Sequence, residues 1–398
     1  MVDLTRAIPP VPPELEASMR LVLSTMIASN KLGQMVRHNR VGGNERDQIA
    51  GARWVSRRLN SGIEQDRLIV GNGTQSLLGL IFYEVLGANS VLLTEALTYP
   101  VLKPLARRFG ISIEPVRIDE LGLLPSDLEH AIGRTRAKAI FCNPTIQNPT
   151  TAVMPEDRRA ILVSIARRHN VVIIEDDVLG ALHGLSPRPL AAIGPDVVWY
   201  IQSLSKCVAL GLKVAYLVAP DAVQRDRLVA SAANHSFWFP SGLAAEAATT
   251  LIESGEIQRV ARAIRTEADI RRQIAVSILG KHGIRSEAGG LHSWLPVEKF
   301  GTALSFTAAA DRMGVKVRPA EIFAASPADQ RLTIPAAVRV ALTSPNTHQE
   351  LVVGLEHLAR LLANETNAVP AISKLNGANR ELYGDTKSGL GKRVTFSQ

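Results

Sequence analysis

Lys206 sits in Ser203-Leu204-Ser205-Lys206, directly after an apolar, strand-like run over residues 197–201. An amine at the end of such a run can form a Schiff base with an aldehyde; the plainer alternative is a surface lysine in a loop. The two hydroxyl residues before it, Ser203 and Ser205, suit a phosphate. Asp176 lies in Glu175-Asp176-Asp177, closing the apolar run over 171–174. A buried acid there needs a partner, and a protonated ring nitrogen would be one. Asp177 reads as a helix N-cap or loop acid, which leaves Asp176 for the ring. Asn148 lies in Gln147-Asn148-Pro149-Thr150. The proline keeps it extended and its amide suits a phenolic oxygen, although Asn-Pro is also a common turn dipeptide.

Three further segments bear on the same chemistry. Gly71-Asn72-Gly73-Thr74-Gln75 follows a strand-like run and opens a helix. Gly73 permits a tight turn, and the helix start with the Thr74 hydroxyl offers donors to a phosphate. Taken alone, a simple strand-to-helix turn is the better reading. Tyr99, in Leu97-Thr98-Tyr99-Pro100, suits stacking on a ring or plain packing. Arg339 alternates with apolar residues over 337–342, a placement that suits a two-pronged grip on a carboxylate. An exposed arginine on a half-buried strand is the equal alternative. His292 and Trp294 follow Gly289-Gly290 and either border a substrate cleft or, more simply, pack in the core. An imine-forming lysine, an acid for a pyridinium and an amide for a phenolate are together what pyridoxal phosphate requires.

These residues need a scaffold, and the pattern supplies one. Strand-like runs at 67–70, 90–93, 111–118, 138–142, 171–174, 197–201 and 214–218 alternate with helical stretches. That alternation predicts an α/β fold, a mostly parallel seven-stranded sheet with helices on both faces. The clearest helix covers 154–170, with Pro155 in its first turn, acids at its start and arginines at its end. Residues 1–13 read as an extended arm, because prolines 9, 10, 12 and 13 oppose helix. A helix over 15–36 follows. A helical region from 243 to 280, strands at 291–297, 315–318 and 338–342, and a helix over 348–363 predict a smaller α+β unit. The expected division is 1–45 arm and helix, 46–250 large domain, 251–364 small C-terminal domain and 365–398 a disordered tail.

Composition bounds the rest. The 398 residues, 46% hydrophobic and 21% charged, suffice for two domains with substantial cores. No stretch suits a bilayer span, and the proline-rich start lacks the order of a secretory signal. Cys142 and Cys207 fit no metal or redox spacing, so no metal and a reduced cytoplasm are expected. The formal charge is +8, and the scattered arginines form no aromatic-interleaved strip. Neither nucleic acid nor membrane is therefore expected as partner; the charge can draw acidic substrates or a phosphorylated cofactor.

Assembled, these segments resemble the class I and II aminotransferases, fold type I pyridoxal-phosphate enzymes, over about residues 40–364. The wording is nearest to the aminotransferase-like domain of MocR/GntR-type regulators. It runs GNGTQSLL (71–78), TEALTYPVLKPLA (94–106), NPTIQNPTTAVMPEDRR (143–159), VVIIEDDVLG (171–180), SLSK (203–206), GGLHSWL (289–295) and VRVALTSP (338–345). The resemblance implies Lys206 as the imine lysine, Asp176 at the pyridine nitrogen, Asn148 at the phenolate and Tyr99 beside the ring. It implies Thr74, Gln75 and Ser203 near the phosphate, Arg339 on the substrate carboxylate, and a homodimer with active sites at the subunit interface. Three positions depart from the family: Leu179 where a tyrosine is usual, Lys213 in place of the phosphate arginine, and Leu210 in place of a proline. Fewer than fifty residues precede the domain, so the winged helix-turn-helix of those regulators is not expected. The implied activity is transamination between an amino acid and a 2-oxo acid. The alternatives are a catalytically weakened sensor of cofactor or amino acid, and a lyase or decarboxylase on the same scaffold.

Overall fold

The computed structural model describes residues 1–363 apart from 38, 234 and 327–331. The tail expected over 365–398 lies outside the described residues. Seven strands form the large sheet, in the order Leu68–Gly71, Ala215–Val218, Val198–Ser203, Val172–Asp176, Ala139–Cys142, Val91–Glu95, Ser112–Val116. Ala215–Val218 runs antiparallel to both neighbours, and the other four pairings are parallel. Ala139–Cys142, Val198–Ser203 and Ala215–Val218 are buried along their whole length, and Val172–Asp176 along all but its first residue, as expected of strands with helices on both faces. The mostly parallel seven-stranded α/β sheet read from the sequence is therefore the fold.

Helix ends follow local chemistry. Asn44 caps the helix Glu45–Leu59 by accepting from the Asp47 N–H, and Asp47 accepts in return from the Asn44 N–H; such a cap stabilises by about 1 kcal/mol. Glu156–His169 starts after Pro155 with two acids in its first turn and ends on Arg167, Arg168 and His169, each sign matched to the helix dipole. Two readings of the N-terminal segment need correction. The helix expected over 15–36 is two helices, Pro13–Ala28 and Leu32–Arg37, because Asn30 takes a left-handed conformation (φ 57°) between them. Residues 1–13 are not wholly an extended arm, since Pro13 occupies the first turn of that first helix, where its missing N–H costs nothing.

The second sheet is antiparallel, in the order Arg285–Ser286, His292–Pro296, Ala337–Ala341, Arg318–Pro319. The strand expected over 315–318 is two short pieces, Val315–Lys316 and Arg318–Pro319. Phe306, Leu351, Leu355 and Leu358 pack with Leu295, Val338 and Val340 to form its core. The N-terminal arm belongs to this core: Val2–Asp3 pairs in parallel with Val315–Lys316, and Leu4 is fully buried. The helix Glu256–Leu279 passes beside both units, and its buried Arg271 donates to the Leu342 and Pro345 carbonyls. No helix among the described residues is long and apolar enough to cross a membrane.

Candidate active site

The carboxyl ends of the parallel strands open on a cavity of about 540 Å³, the position at which open α/β sheets bind ligands. Each candidate site residue read from the sequence lines it. Ser203, Ser205 and Lys206 come off the end of Val198–Ser203, and Asp176 ends its own strand. Tyr99 and Asn148 lie on the loops after Val91–Glu95 and Ala139–Cys142. Gly73, Thr74 and Gln75 form the first turn of the helix Gly73–Ile81, and Lys213 precedes Ala215–Val218. Arg339 enters from the second sheet.

One end of the cavity is built for an anion. The Gly73–Ile81 helix has no side-chain cap, so its first amides have no partner within the helix. Gly73 sits at φ 79°, which a side chain would disfavour. A Cβ on Gly71 would lie 2.3 Å from Leu77, so only glycine lets the strand meet the helix there. Across from this turn, the Ser203 hydroxyl donates to Ser205 Oγ (3.0 Å) and accepts from the Ser205 N–H (3.2 Å). Lys213 is exposed at the rim.

The opposite demand is met by Asp176. It is 5% exposed and its Oδ1 has no partner. Burial raises its carboxyl to about 7; an Asn143 hydrogen bond opposes the rise, Asp177 adds to it, and Lys206 opposes it. A buried, unanswered acid oxygen at a cavity wall is satisfied by a cationic N–H donor. Asp177 is a loop acid, one residue past the strand end, and not a helix cap. No helix starts there, and its carboxylate accepts from the Tyr200 hydroxyl (2.8 Å) and pairs with Arg58 (2.8 Å). Glu175, Asp176 and Asp177 are all buried, so what separates Asp177 from Asp176 is its partners, Arg58 and Tyr200.

Lys206 is held low, to about 8, by burial and by the charge of Arg339, with Asp176 working the other way. Its Nζ donates to the Ala7 carbonyl (2.5 Å). Arg339 donates from Nη2 to the Thr5 carbonyl (2.7 Å) and from Nη1 to Asn148 Oδ1 (2.8 Å). Its guanidinium lies 4.9 Å from the Phe323 ring centroid, and its Nε has no partner. Because Arg339 takes the Asn148 amide oxygen, the amide's donor end is left for another group. Gln75 Nε2 donates to the Tyr99 hydroxyl (3.0 Å), and burial raises the Tyr99 pKa, which keeps it a phenol.

The loop carrying Asn148 is fixed from below. Arg159, fully buried, donates to the Met154 and Pro144 carbonyls and to Thr145 Oγ1. Gln147 Nε2 donates to the Leu97 carbonyl (2.6 Å), and Asn143 Nδ2 to the Asp176 carbonyl (2.8 Å).

His292 both lines the cavity and is buried. Burial, then the Arg339 charge, drives it to about 3, so it is neutral. Trp294 packs instead with Leu97 and Phe323. Sequence reasoning missed Asn143, Arg318 and the arm residues Thr5, Arg6, Ala7 and Ile8, which also line the cavity. Asn143 carried a usable signal: it directly follows a strand-like run, as Glu175-Asp176 does. The arm carried none, since its place depends on pairing with Val315–Lys316 more than three hundred residues away. No cluster of metal-ligating side chains occurs among the described residues.

The family model described as aminotransferase class I and II matches residues 48–351. Curated relatives fall into two kinds. An uncharacterized HTH-type transcriptional regulator of Bacillus subtilis, YdeF, is 28% identical over 76% of this chain and 64% of its own length. The pyridoxine biosynthesis regulator PdxR of Corynebacterium glutamicum is 28% identical over 60% of this chain and 52% of its own. An uncharacterized aminotransferase of Saccharolobus solfataricus is 26% identical over 77% of both chains. The chain thus spans between about half and two-thirds of the length of these regulators. Among solved structures, a Pyrococcus horikoshii kynurenine aminotransferase superposes with a TM-score of 0.81 at 21% identity, covering 92% of each chain.

Proposed function

Because this chain belongs to the aminotransferase class I and II family, matched over residues 48–351, we propose that it transfers an amino group between an amino acid and a 2-oxo acid, working as a homodimer. One observation carries the reading: a single cavity gathers an amine lowered toward neutrality, an unpartnered buried acid and a buried arginine, Lys206, Asp176 and Arg339. The cofactor is pyridoxal phosphate, which when bound supplies an aldehyde for an amine and a pyridinium that accepts electron density.

The residues present fit that group. The unanswered Oδ1 of Asp176 suits a pyridinium N–H. The free end of the Asn148 amide and the Tyr99 hydroxyl suit a phenolate. The uncapped turn at Gly73, Thr74 and Gln75, with Ser203, Ser205 and Lys213, suits a phosphate. Lys206 Nζ would be the amine for the aldehyde, and as a free amine it would take and return a proton near neutral pH, where a base with its pKa is effective. Arg339 orients the substrate by binding its carboxylate through two parallel N–H donors. The Thr5 and Ala7 carbonyls now hold Arg339 and Lys206, so both contacts must yield when substrate and cofactor bind.

Two predictions follow from this geometry. In Arg339→Ala, KM for the amino acid is expected to rise about a hundredfold, the loss of roughly 3 kcal/mol of charge-assisted hydrogen bonding. Arg339→Lys should recover only part, because it restores charge without the fork; steady-state kinetics that separate KM from kcat check both. The capture of cofactor by cofactor-free protein depends on the neutral amine. Its rate should rise tenfold per pH unit below about 8 and level off above it. An unshifted lysine would keep rising to about 10.5.

A second reading, a sensor that binds without turning over, has its own support in Leu179 and Lys213 at the cavity wall and in the regulators among the relatives. Stopped-flow spectra with a panel of amino acids separate the two. Release of the 2-oxo acid with conversion of the cofactor spectrum supports the enzyme; a spectral change without release supports the sensor; release of carbon dioxide or an eliminated group points to the lyase or decarboxylase alternative.

A further inference from the structure

A second cavity, of about 490 Å³, backs onto the strand Val198–Ser203 that carries Ser203 into the active site. Alternate residues of a strand face opposite sides of the sheet: Ser203 lines the active site, and Gln202 lines this cavity. Its charge is one-sided. Arg57, Arg58, Arg188, Arg262 and Arg265 all line it. Arg58 is paired with Asp177 (2.8 Å) and Arg188 with Glu156 (2.7 Å). Among the described residues, no carboxylate forms an ion pair with Arg57, Arg262 or Arg265, so three guanidinium charges face the cavity uncompensated.

The wall also holds polar atoms with nothing to bind. Trp54 Nε1 is a buried donor without an acceptor, and Gln202 Oε1 a buried acceptor without a donor. The two residues are 6% and 1% exposed. His183 uses Nε2 toward Glu287 (3.2 Å) and leaves Nδ1 unpartnered. Buried polar groups in native proteins are almost always paired. Three unpaired atoms lie in the side chains that wall this one basic concavity. The volume is that of small-molecule pockets, too small for a macromolecular surface.

We propose that this cavity is a second binding site, for a small organic dianion that carries a phosphate ester or two carboxylates together with a hydroxyl. The arginines take the anionic oxygens in forked hydrogen bonds, and the Gln202 amide in the wall pairs with the hydroxyl. The site is independent of the chemistry assigned to Lys206.

Isothermal titration calorimetry on cofactor-loaded protein tests it, with glycerol 3-phosphate and malate as probes. At least one is expected to bind saturably. Arg57→Gln and Arg262→Gln, both at exposed positions that folding tolerates, should each weaken that binding by about tenfold or more, and Gln202→Leu should weaken it too. Arg53→Gln, the same charge change on an exposed residue outside the cavity, and Arg339→Ala in the active site should leave it unchanged. Preference for glycerol 3-phosphate assigns the phosphate class, and preference for malate the dicarboxylate class. Three outcomes overturn the proposal. One is no saturable binding of either probe. Another is loss of binding in Arg339→Ala, which places the probe in the active site. The third is equal weakening by Arg53→Gln, which makes the effect diffuse charge.

Discussion

Lys206→Ala is expected to lower turnover by at least about four orders of magnitude, roughly 5 kcal/mol at the barrier. The substitution removes two functions at once, the covalent hold on the cofactor and the base at the reacting carbon. The cavity's other amine, Lys213, stands exposed at the rim and cannot take over either. Lys206→Arg separates catalysis from structure. It keeps a cation able to donate to the Ala7 carbonyl but offers no amine for the aldehyde, so it should be as inactive as alanine while keeping wild-type thermal stability. Single-turnover measurements with an amino acid, alongside melting curves, check both variants.

Asp176→Asn should move activity and stability in opposite directions. Activity should fall by about a thousandfold, because the neutral amide cannot keep a ring nitrogen protonated, and roughly 4 kcal/mol of electron-sink stabilisation is lost. Stability of the cofactor-free protein should rise above pH 7. Burial lifts the folded-state pKa of Asp176 from 3.8 to about 7. Between those values the unfolded chain has released its proton and the folded chain retains it. The folded state is therefore penalised progressively as pH rises through this window, and the full penalty persists above it. Asparagine has no charge to bury, so the variant escapes a cost on the order of a few kcal/mol. Melting temperature against pH for both cofactor-free proteins reads the effect: the curves should converge in acid and separate toward neutrality. With pyridoxal phosphate bound the order should reverse, since the pyridinium then compensates the carboxylate.

What the sequence made legible was what short-range order encodes. Each central strand is an unbroken apolar run, and the chemical residues follow those runs closely, as in Ile173-Ile174-Glu175-Asp176 and Tyr200-Ile201-Gln202-Ser203. A parallel sheet brings such ends to one edge, so reading run ends was enough to gather Asp176, Asn148, Tyr99 and Lys206 around one cavity. Arg339 was legible as an alternating arginine, but its partners were not. Thr5 and Asn148 are brought to it by packing between units far apart in sequence.

The misreadings have the same origin. Asp177 was rightly open to a loop reading, but no signal in the sequence marked this loop acid as buried against Arg58 and Tyr200. The break at Asn30 needed a left-handed residue that hydrophobic spacing does not register. The basic cavity behind the sheet was invisible because its arginines come from two helices and a loop, each of which alone reads as a solvated face.

Borohydride reduction of the protein with pyridoxal phosphate, followed by proteolysis and mass mapping of the labelled peptide, tests the central claim most directly. One stable modification is expected, at the lysine of Ser203-Leu204-Ser205-Lys206, with a stoichiometry near one per chain, and absent from Lys206→Ala. A label spread over surface lysines, or confined to Lys213 or any other amine, would contradict the account.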